Sequence, residues 1–255
     1  MILHIPHSST AIPVEFLDYF SLSPQDLNSE VLKMTDHFTD ELFQPDSINV
    51  ERQVFPVSRL LVDPERFVED NDEPMSSKGM GCVYEKTHNG AQLKVTGGIR
   101  SLLIDRYYRP HHRALLTLVN SSLERSGNAL IVDCHSFPKE PLPYEIDQAS
   151  ARPQICIGVD EFHTPPELVD LVAKGFKRLG FTVGINRPFS GSIVPLIHFR
   201  KSPSVYSIMI EVRRDLYMDE SSGLKTESFL DTRAQIVQIL EELKRFEVSV
   251  LRSIF

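Results

Sequence analysis

Three apolar runs along the chain each contain or lead into charged or imidazole side chains. The runs and the polar residues at or near their ends are 3–6 with His7, 129–132 with Asp133 and His135, and 205–212 with Glu211. A short apolar run without alternation is typical of a strand that is buried on both faces of a sheet. The three runs therefore predict strands, and strand alternation places Asp133 and His135 on one side and Cys134 on the other.

Longer stretches with apolar residues at helical spacing predict helices. They are 30–43 with Ser29 as its cap, 101–125, 164–179 and 227–255, and shorter runs predict strands at 48–50, 54–57, 154–159 and 181–185. Pro110 should kink or divide the second helix, because proline removes a backbone donor. Strands that alternate with helices predict an α/β fold with three layers, α/β/α, around a mixed, mostly parallel sheet. We expect one domain over residues 1–255.

Residues 69–98 follow neither a helical nor a strand period. The stretch begins with an acidic, turn-rich segment and is punctuated by glycines near its middle and end. A long connection of this kind is often functional, so we interpret it as an extended loop that covers a site as a flap.

Polar residues follow five predicted strands, and the carboxyl ends of parallel strands meet at one edge of a sheet. They are His7, Arg59 with Asp63, Asp133 with His135, Asn186 with Arg187, and Glu211. Two histidines and a carboxylate with one open position are the pattern of a catalytic zinc ion, which makes hydroxide available near neutral pH. A further carboxylate can take the proton of the water, and Glu211 is the candidate for this general base.

Structural roles compete with this interpretation. Asp133 and His135 could belong to an ordinary hydrogen-bonded turn, and Glu211 could form a salt bridge with Arg213 or Arg214. A thiol nucleophile at Cys134 is disfavoured, because strand alternation points it away from His135. The chain has no glycine-rich phosphate loop, GxSxG motif or CxxC motif, so phosphoryl transfer and serine hydrolysis have no support.

Composition and charge restrict the class of protein further. The chain has 255 residues, of which 41% are hydrophobic and 24% charged, as in soluble globular proteins. A formal net charge of −8 argues against nucleic acid as the main partner. The sequence contains no run of 18 apolar residues, so no membrane span is predicted. The first residues lack the basic region of a signal peptide, and three scattered cysteines suit a reducing compartment, so a cytoplasmic location is expected.

A series of short motifs extends from residue 4 to residue 220. The motifs are Pro6-His7-Ser8, Thr35-Asp36, Ser58-Arg59 with Val62-Asp63, Tyr108-Arg109-Pro110 with His112, Asp133-x-His135-Ser136, Asn186 with Phe189 and Gly191, and Glu211 with Tyr217-Met218-Asp219-Glu220. In this order they resemble the N-formylglutamate amidohydrolase family. The resemblance implies a zinc-exopeptidase-like fold, similar to that of zinc carboxypeptidases and aspartoacylases.

The resemblance also implies one zinc ion, with His7, Asp36 and His135 as its ligands and Glu211 as the base. The carboxypeptidase relatives have a glutamate three residues after the first histidine, where this chain has Thr10, which cannot supply a carboxylate. The resemblance points to Asp36 in its place. His37 with Asp40, at one-turn helical spacing, is the rival pair for the third ligand.

The substrate implied by the resemblance is a small N-acyl acidic amino acid such as N-formylglutamate. Arginines bind carboxylates in bidentate fashion. The candidate substrate contacts are Arg59, Arg109, His112, Asn186 and Arg187. A surface salt bridge is the alternative role for each arginine. Two other functions stay open: a carboxypeptidase-like or cell-wall peptide amidase, and a metal-free binding protein of the same fold.

Overall fold

The computed structural model describes the backbone of residues 1–252 and the side chains of residues 1–247. Within these residues the central sheet consists of β1 (Ile2–Ile5), β2 (Glu51–Val54), β3 (Ala129–Phe137), β4 (Ile155–Gly158), β5 (Val183–Ile185) and β6 (Val205–Arg213). The order of the strands across the sheet is β2-β1-β3-β6-β4-β5. A separate pair is formed by β7 (Met218–Asp219) and β8 (Leu224–Lys225).

The sheet is mixed and mostly parallel, as predicted. β1 pairs in parallel with β2 and β3, and β3 pairs in parallel with β6. β4 runs antiparallel to β6, and β5 runs parallel to β4. The carboxyl ends of β1, β2, β3 and β6 therefore share one edge of the sheet. The expectation that Asn186 and Arg187 follow a strand end at that edge is wrong, because β5 runs in the opposite direction.

Helices cover both faces of the sheet, which confirms the three-layer prediction. They are α1 (Pro24–Met34), α2 (Thr39–Leu42), α3 (Arg100–Leu103), α4 (Arg109–Ser126), α5 (Pro166–Arg178) and α6 (Phe229–Arg252). α5 and α6 pack on the face of β3 that carries Leu130, Val132 and Cys134. α4 packs on the opposite face, against Ile131. Cys134 therefore lies in the apolar core, as strand alternation requires.

The helix predicted over 30–43 is two helices. α1 begins earlier than predicted, because Ser23 rather than Ser29 is its cap: the Ser23 hydroxyl accepts a hydrogen bond from the Asp26 amide at 3.2 Å. The helix ends before Asp36, whose backbone amide donates to the His7 carbonyl at 3.0 Å. Phe38 then has a left-handed backbone conformation with φ of 63°. This break turns Asp36 toward the carboxyl end of β1.

The predicted long helix over 101–125 is divided ahead of Pro110. A π-helical turn at Ile104–Tyr108 separates α3 from α4, and Pro110 lies in the first turn of α4, where its missing N–H does no harm. The strand predicted at 54–57 lies instead at Glu51–Val54, and residues 48–50 are not a strand. Residues 253–255 of the predicted last helix lie outside the described part of the chain.

Residues 69–98 are largely irregular, as predicted, but well packed. The segment contains a 3-10 turn at Pro74–Lys78 and buries Met80, Tyr84 and Leu93 in a core with Met34. It braces the neighbouring segment rather than standing apart from it, since the Lys94 ammonium donates to the Leu60 carbonyl. No helix in the described residues is long and apolar enough to cross a membrane.

Candidate active site

A cavity of about 600 Å³ opens at the edge of the sheet where β1, β3 and β6 end. His7, His135 and Glu211 line it, each supplied by one of these strands or by the residues just after it. Parallel pairing explains why they meet, because His135 and Glu211 are direct neighbours in the register of β3 and β6. The convergence predicted for these three residues is therefore present.

One ring nitrogen of His7 is hydrogen-bonded, and the other is free. Its Nε2–H donates to Asp63 Oδ1 at 2.9 Å. Its Nδ1 is buried, has no hydrogen-bond partner among the described residues, and lies 3.7 Å from Asp36 Oδ2 and 3.9 Å from Glu65 Oε2. A carboxylate that holds one imidazole nitrogen fixes the tautomer and leaves the other lone pair for a cation. Asp63 therefore presents His7 Nδ1 to the cavity.

His135 is held in a similar way. Its Nδ1 lies 3.1 Å from Asp36 Oδ2, and its Nε2 lies 3.1 Å from both Glu65 Oε2 and Asp133 Oδ1. Burial alone would lower the pKa of His135, but the surrounding carboxylates hold it well above its usual value. Two carboxylate oxygens packed against one imidazole nitrogen require a positive charge between them, carried by a proton or by a metal ion.

Glu65 completes a group that fits a metal ion. One ligand atom from each of His7, Glu65 and His135 lies within 4.8 Å of the others. Ligands at about 2.1 Å from a tetrahedral ion are roughly 3.4 Å apart, close to the separations of 3.1 and 3.9 Å measured here. Two imidazoles and one carboxylate are also the donor types that zinc prefers. The residues present therefore fit a divalent ion of this kind.

A second group, His4, Glu65 and Asp133, also has ligand atoms that lie within 4.8 Å of one another. The hydrogen bonds around His4 assign it a different role. Gln53 Nε2 donates to the His111 carbonyl at 2.6 Å and lies 3.2 Å from His111 Nδ1, so this nitrogen is an acceptor and His111 Nε2 carries the proton.

The chain of donors continues from His111 to the sheet. His111 Nε2–H donates to His4 Nε2 at 2.8 Å, and His4 Nδ1–H donates to Asp133 Oδ1 at 2.8 Å. Burial and the neighbouring histidines lower the pKa of His111 to about 2, so it stays neutral. With its Nδ1 protonated, His4 has no free lone pair for a metal. The hydrogen-bonded chain from His111 through His4 positions the Asp133 carboxylate beside His135.

Glu211 is a buried carboxylate with one unpaired oxygen. Its Oε2 has no hydrogen bond among the described residues. Arg213 pairs instead with Asp215 at 2.7 Å, and Arg214 with Asp36 at 3.2 Å, so the alternative of a salt bridge to either arginine is not realised. Burial raises the pKa of Glu211 to about 8, and the negative charges of Asp36 and Glu65 add to this effect. Glu211 can therefore exchange a proton near neutral pH.

Cationic side chains line one side of the cavity. Arg59 is locked by Asp63, at 2.8 Å, and by the Tyr84 hydroxyl, at 3.2 Å. Arg66 is less committed: its Nε is buried without a hydrogen bond and lies 3.9 Å from Glu73 Oε1, and its Nη1 makes one long hydrogen bond, of 3.5 Å, to the Glu65 carbonyl. Arg214 donates to Asp36 and to the Lys33 carbonyl. Arg66 thus has the most unused hydrogen-bonding capacity.

Of the other predicted substrate contacts, some line the cavity and others do not. His112 lines the cavity and donates from Nε2 to the Pro64 carbonyl at 2.8 Å. Arg109 does not line it; more than half of its side chain is exposed, and it pairs with Asp105. Asn186 accepts a hydrogen bond from the Val159 amide, and Arg187 pairs with Asp147 on the surface. The structure does not bring these last three residues into the cavity.

The candidates for the third metal ligand also differ in whether they line the cavity. Asp36 lines the cavity, but its oxygens contact His135, the Ser136 amide and Arg214. His37 and Asp40 do not line it, because the chain turns away after Asp36.

Glu65, Arg66 and Arg214 are charged residues that line the cavity and that the sequence interpretation missed or treated only as structural. The available signal was weak: Glu65 and Arg66 directly follow Val62-Asp63-Pro64, in a segment without regular structure. Asp63 itself turns inward and orients His7, so the useful carboxylate lies two residues further on.

Comparisons with known proteins are consistent with this geometry. The family model for N-formylglutamate amidohydrolase matches residues 1–218. The crystal structure of N-formylglutamate amidohydrolase from Ralstonia eutropha JMP134 has a TM-score of 0.80 and 25% sequence identity, and the match covers 99% of this chain and 94% of that chain. The gene product Atu2144 from Agrobacterium tumefaciens shares the fold, with a TM-score of 0.63 and 18% identity over 96% of this chain and 91% of that chain. A search of curated proteins finds no match. The matched region covers most of the chain and contains all the residues gathered around the cavity, and on this ground the chain belongs to the N-formylglutamate amidohydrolase family.

Proposed function

We propose that the protein is a metal-dependent hydrolase that removes the acyl group from an N-acyl amino acid, with N-formylglutamate as the reference substrate. The observation that carries the proposal is the free, buried Nδ1 of His7, which faces Glu65 beside His135, together with the unpaired Oε2 of Glu211. Family membership supports the amide bond as the target. The proposal treats residues 1–255 as one catalytic domain, since the site draws on β1, β3 and β6 of one sheet.

The metal ligands in this proposal are His7, Glu65 and His135, and the ion is zinc. When bound, such an ion supplies Lewis-acid chemistry and makes a water molecule more acidic. Asp63 and Asp36 orient the two imidazoles, from 2.9 and 3.1 Å, so that His7 Nδ1 and His135 Nε2 face Glu65. Glu65 replaces Asp36 as the expected third ligand, because the Asp36 oxygens are already engaged by His135, Ser136 and Arg214.

Glu211 is the general base. It takes a proton from the attacking water on a carboxylate oxygen and delivers it to the nitrogen of the leaving amine. A base whose pKa lies near the working pH is both available and strong enough for this transfer. Burial sets that pKa near 8. Glu211 is the neighbour of His135 in the register of β3 and β6, so its side chain lies beside the proposed metal ligands.

Arg66 binds a substrate carboxylate, supported by Arg59 and His112. The unpaired Nε and the gap of 3.9 Å to Glu73 leave the Arg66 guanidinium free for a bidentate contact. Arg59 keeps the nearby segment rigid through Asp63. Arg109, Asn186 and Arg187, which the sequence suggested for this role, are left out because they do not line the cavity.

The test combines metal content with hydrolysis of N-formyl-L-glutamate by the purified protein. We expect one zinc ion per chain and release of formate. Glu211→Gln should keep the zinc but lower kcat by about 10²–10⁴, the range for lost acid–base catalysis. Glu124→Gln, an exposed change on α4, is the matched control and should behave like the unmodified protein.

Other outcomes separate the competing functions. A protein that binds no divalent metal and cleaves no amide would be a binding protein of this fold. A zinc enzyme that cleaves peptides but no N-acyl amino acid would be a peptidase. Loss of zinc in Glu211→Gln would make Glu211 a ligand and would remove it as the base.

A further inference from the structure

Large apolar side chains are exposed on one side of the cavity. Ile146 is 87% exposed, Leu196 68% and Phe199 37%, and all three line the cavity. Phe67, at 48%, also lines the cavity and follows Arg66 in the chain. Exposed apolar side chains that line one cleft mark a surface for a ligand or a partner. An amino acid with a one-carbon formyl group has no apolar part that would cover them.

The sheet order divides the cavity into two sides. His7, His135 and Glu211 lie in the middle, on the central strands. Arg59 and Arg66 follow β2, at one end of the strand order. The apolar side chains come from residues 138–154 and 186–204, which connect to β4 and β5 at the other end. An amide that reacts in the middle and places its carboxylates on the arginines therefore directs its acyl group toward the apolar side.

Charged groups on the apolar side are paired with one another. Arg152 pairs with Glu145, Arg200 pairs with Asp160 at 3.2 Å, and Arg187 pairs with Asp147 at 2.8 Å. None of the three arginines is left to attract a carboxylate, so this side suits an uncharged group.

The apolar side is held in place before a ligand binds. The Ile193 amide donates to Asp133 Oδ2 at 3.1 Å, and the Ile193 carbonyl accepts from the Ser207 hydroxyl at 2.7 Å. Gly158 allows a close approach, since a Cβ atom there would lie 2.2 Å from the Gly191 carbonyl oxygen. A preformed wall loses little conformational entropy on binding. The cavity volume of about 600 Å³ is also typical of sites for drug-sized ligands rather than for a formylated amino acid.

We propose, on the basis of the proposed function, that the preferred substrate is an N-acyl amino acid with an apolar acyl chain of several carbons, bound against Ile146, Leu196 and Phe199. Hydrolysis breaks the amide C–N bond: the water oxygen bonds to the acyl carbon, a proton moves to the leaving nitrogen, and a fatty carboxylic acid and an amino acid are released. The arginine side binds the amino acid, and the apolar side binds the chain.

The experiment measures kcat/KM of the zinc enzyme on N-formyl-, N-acetyl-, N-butanoyl- and N-hexanoyl-L-glutamate. We expect kcat/KM to rise with chain length by about fourfold for each methylene group buried. Leu196→Ser should lower the ratio of hexanoyl to acetyl activity about tenfold. Ile197→Ser is the matched control: Ile197 is adjacent and 62% exposed but does not line the cavity, so this variant should keep the ratio.

Three results would overturn the proposal in distinguishable ways. If formylglutamate is cleaved and kcat/KM falls with every added carbon, the substrate class is wrong while the proposed function stands. If no compound of the series is cleaved, the proposed function fails and this inference fails with it. If acyl length has no effect and the protein is a dimer that Leu196→Ser dissociates, a second copy of the chain covers the apolar side chains.

Discussion

At the scale of single residues, carboxylates decide which imidazole nitrogens are free. Asp63 engages Nε2 of His7, and Asp36 contacts Nδ1 of His135. The other nitrogen of each ring faces Glu65, from 3.9 and 3.1 Å, and Nε2 of His135 also lies 3.1 Å from Asp133 Oδ1. Orienting carboxylates of this kind raise ligand basicity, and their loss weakens metal binding without abolishing it. Glu65, a proposed ligand, and Asp36, an orienting residue, should therefore respond differently to substitution.

The first prediction compares Glu65→Gln with Asp36→Asn. Glu65→Gln removes a ligand and should reduce zinc binding to near background. Asp36→Asn removes an orienting contact and should weaken zinc binding by about 10–100-fold. Zinc affinity measured by calorimetry distinguishes the two changes, and Glu69→Gln, an exposed change in the same segment, is the control. If Asp36→Asn abolishes binding and Glu65→Gln leaves it intact, Asp36 is the third ligand.

The second prediction concerns the pH dependence of the metal-free protein. Burial raises the pKa of Glu211 from 4.5 to about 8, so the folded state keeps a proton that the unfolded state releases. The stability contributed by this proton is fully present below pH 4.5 and is lost as pH rises to 8. Glu211→Gln does not ionise and should therefore unfold at higher urea concentration than the unmodified protein at pH 9.

The difference in unfolding free energy at pH 9 should be on the order of a few kcal/mol, since one pKa unit corresponds to about 1.4 kcal/mol. At pH 4.5 the two proteins should differ little. A difference that is equal at both pH values would mean that Glu211 is not protonated in the folded protein.

At the scale of elements, irregular segments brace the residues that the strands supply. The break between α1 and α2 delivers Asp36, and the segment over residues 69–98 delivers Tyr84. The Tyr84 hydroxyl donates to Asp63 Oδ2, the same carboxylate that orients His7. The segment therefore acts on the site through Asp63, in addition to any role as a flap.

The third prediction is that Tyr84→Phe lowers both stability and zinc affinity. Removing a buried donor to a charged acceptor should lower the free energy of unfolding by about 1–3 kcal/mol. Zinc affinity should fall as well, because Asp63 loses one donor and is then held by Arg59, His7 and the Glu65 backbone amide. Urea unfolding and zinc titration measure the two effects, with Tyr206→Phe, a change away from the cavity, as the control. Unchanged zinc affinity would show that Asp63 does not need Tyr84.

At the scale of the whole molecule, the proposed ion connects β1, β3 and the segment after β2. These segments are far apart in the chain, so zinc should stabilise the folded state and have little affinity for the unfolded one. Free zinc at 100 times its dissociation constant should add about 2.7 kcal/mol to the free energy of unfolding.

The fourth prediction follows for thermal unfolding. Chelator treatment should lower Tm, and zinc should restore it, with a shift of about 2–4 °C per kcal/mol for a chain of this size. Magnesium at equal concentration should not substitute, because imidazole ligands suit zinc rather than a hard cation. The rise in Tm on addition of zinc should be much smaller for Glu65→Gln than for the unmodified protein. An equal shift with magnesium would indicate a site made of oxygen ligands.

The sequence by itself determined the residues that regular strands carry. His7, Asp133, His135 and Glu211 could be placed at one edge of a mostly parallel sheet, because an apolar run and a two-residue alternation are local properties. The order of short motifs over residues 4–220 indicated the family, and the family model over residues 1–218 confirms it. The strand assignments themselves did not depend on contacts between distant parts of the chain, and the shared edge followed from the expectation of a mostly parallel sheet.

Only the tertiary structure decided which side chains complete the site. Glu65 and Arg66 lie in a segment without a repeating pattern, and their direction depends on tertiary contacts: Glu65 Oε1 lies 3.6 Å from His4 Nδ1 on β1, and Arg66 Nε lies 3.9 Å from Glu73 Oε1. Arg187 was displaced from the site because β4 and β5 run opposite to the other strands, and strand direction is set by pairing partners far away in the sequence. The free nitrogen of His7 likewise depends on Asp63, 56 residues later in the chain. Hydrogen bonds of this kind have no local signal, because both partners reach their positions only when the sheet has formed.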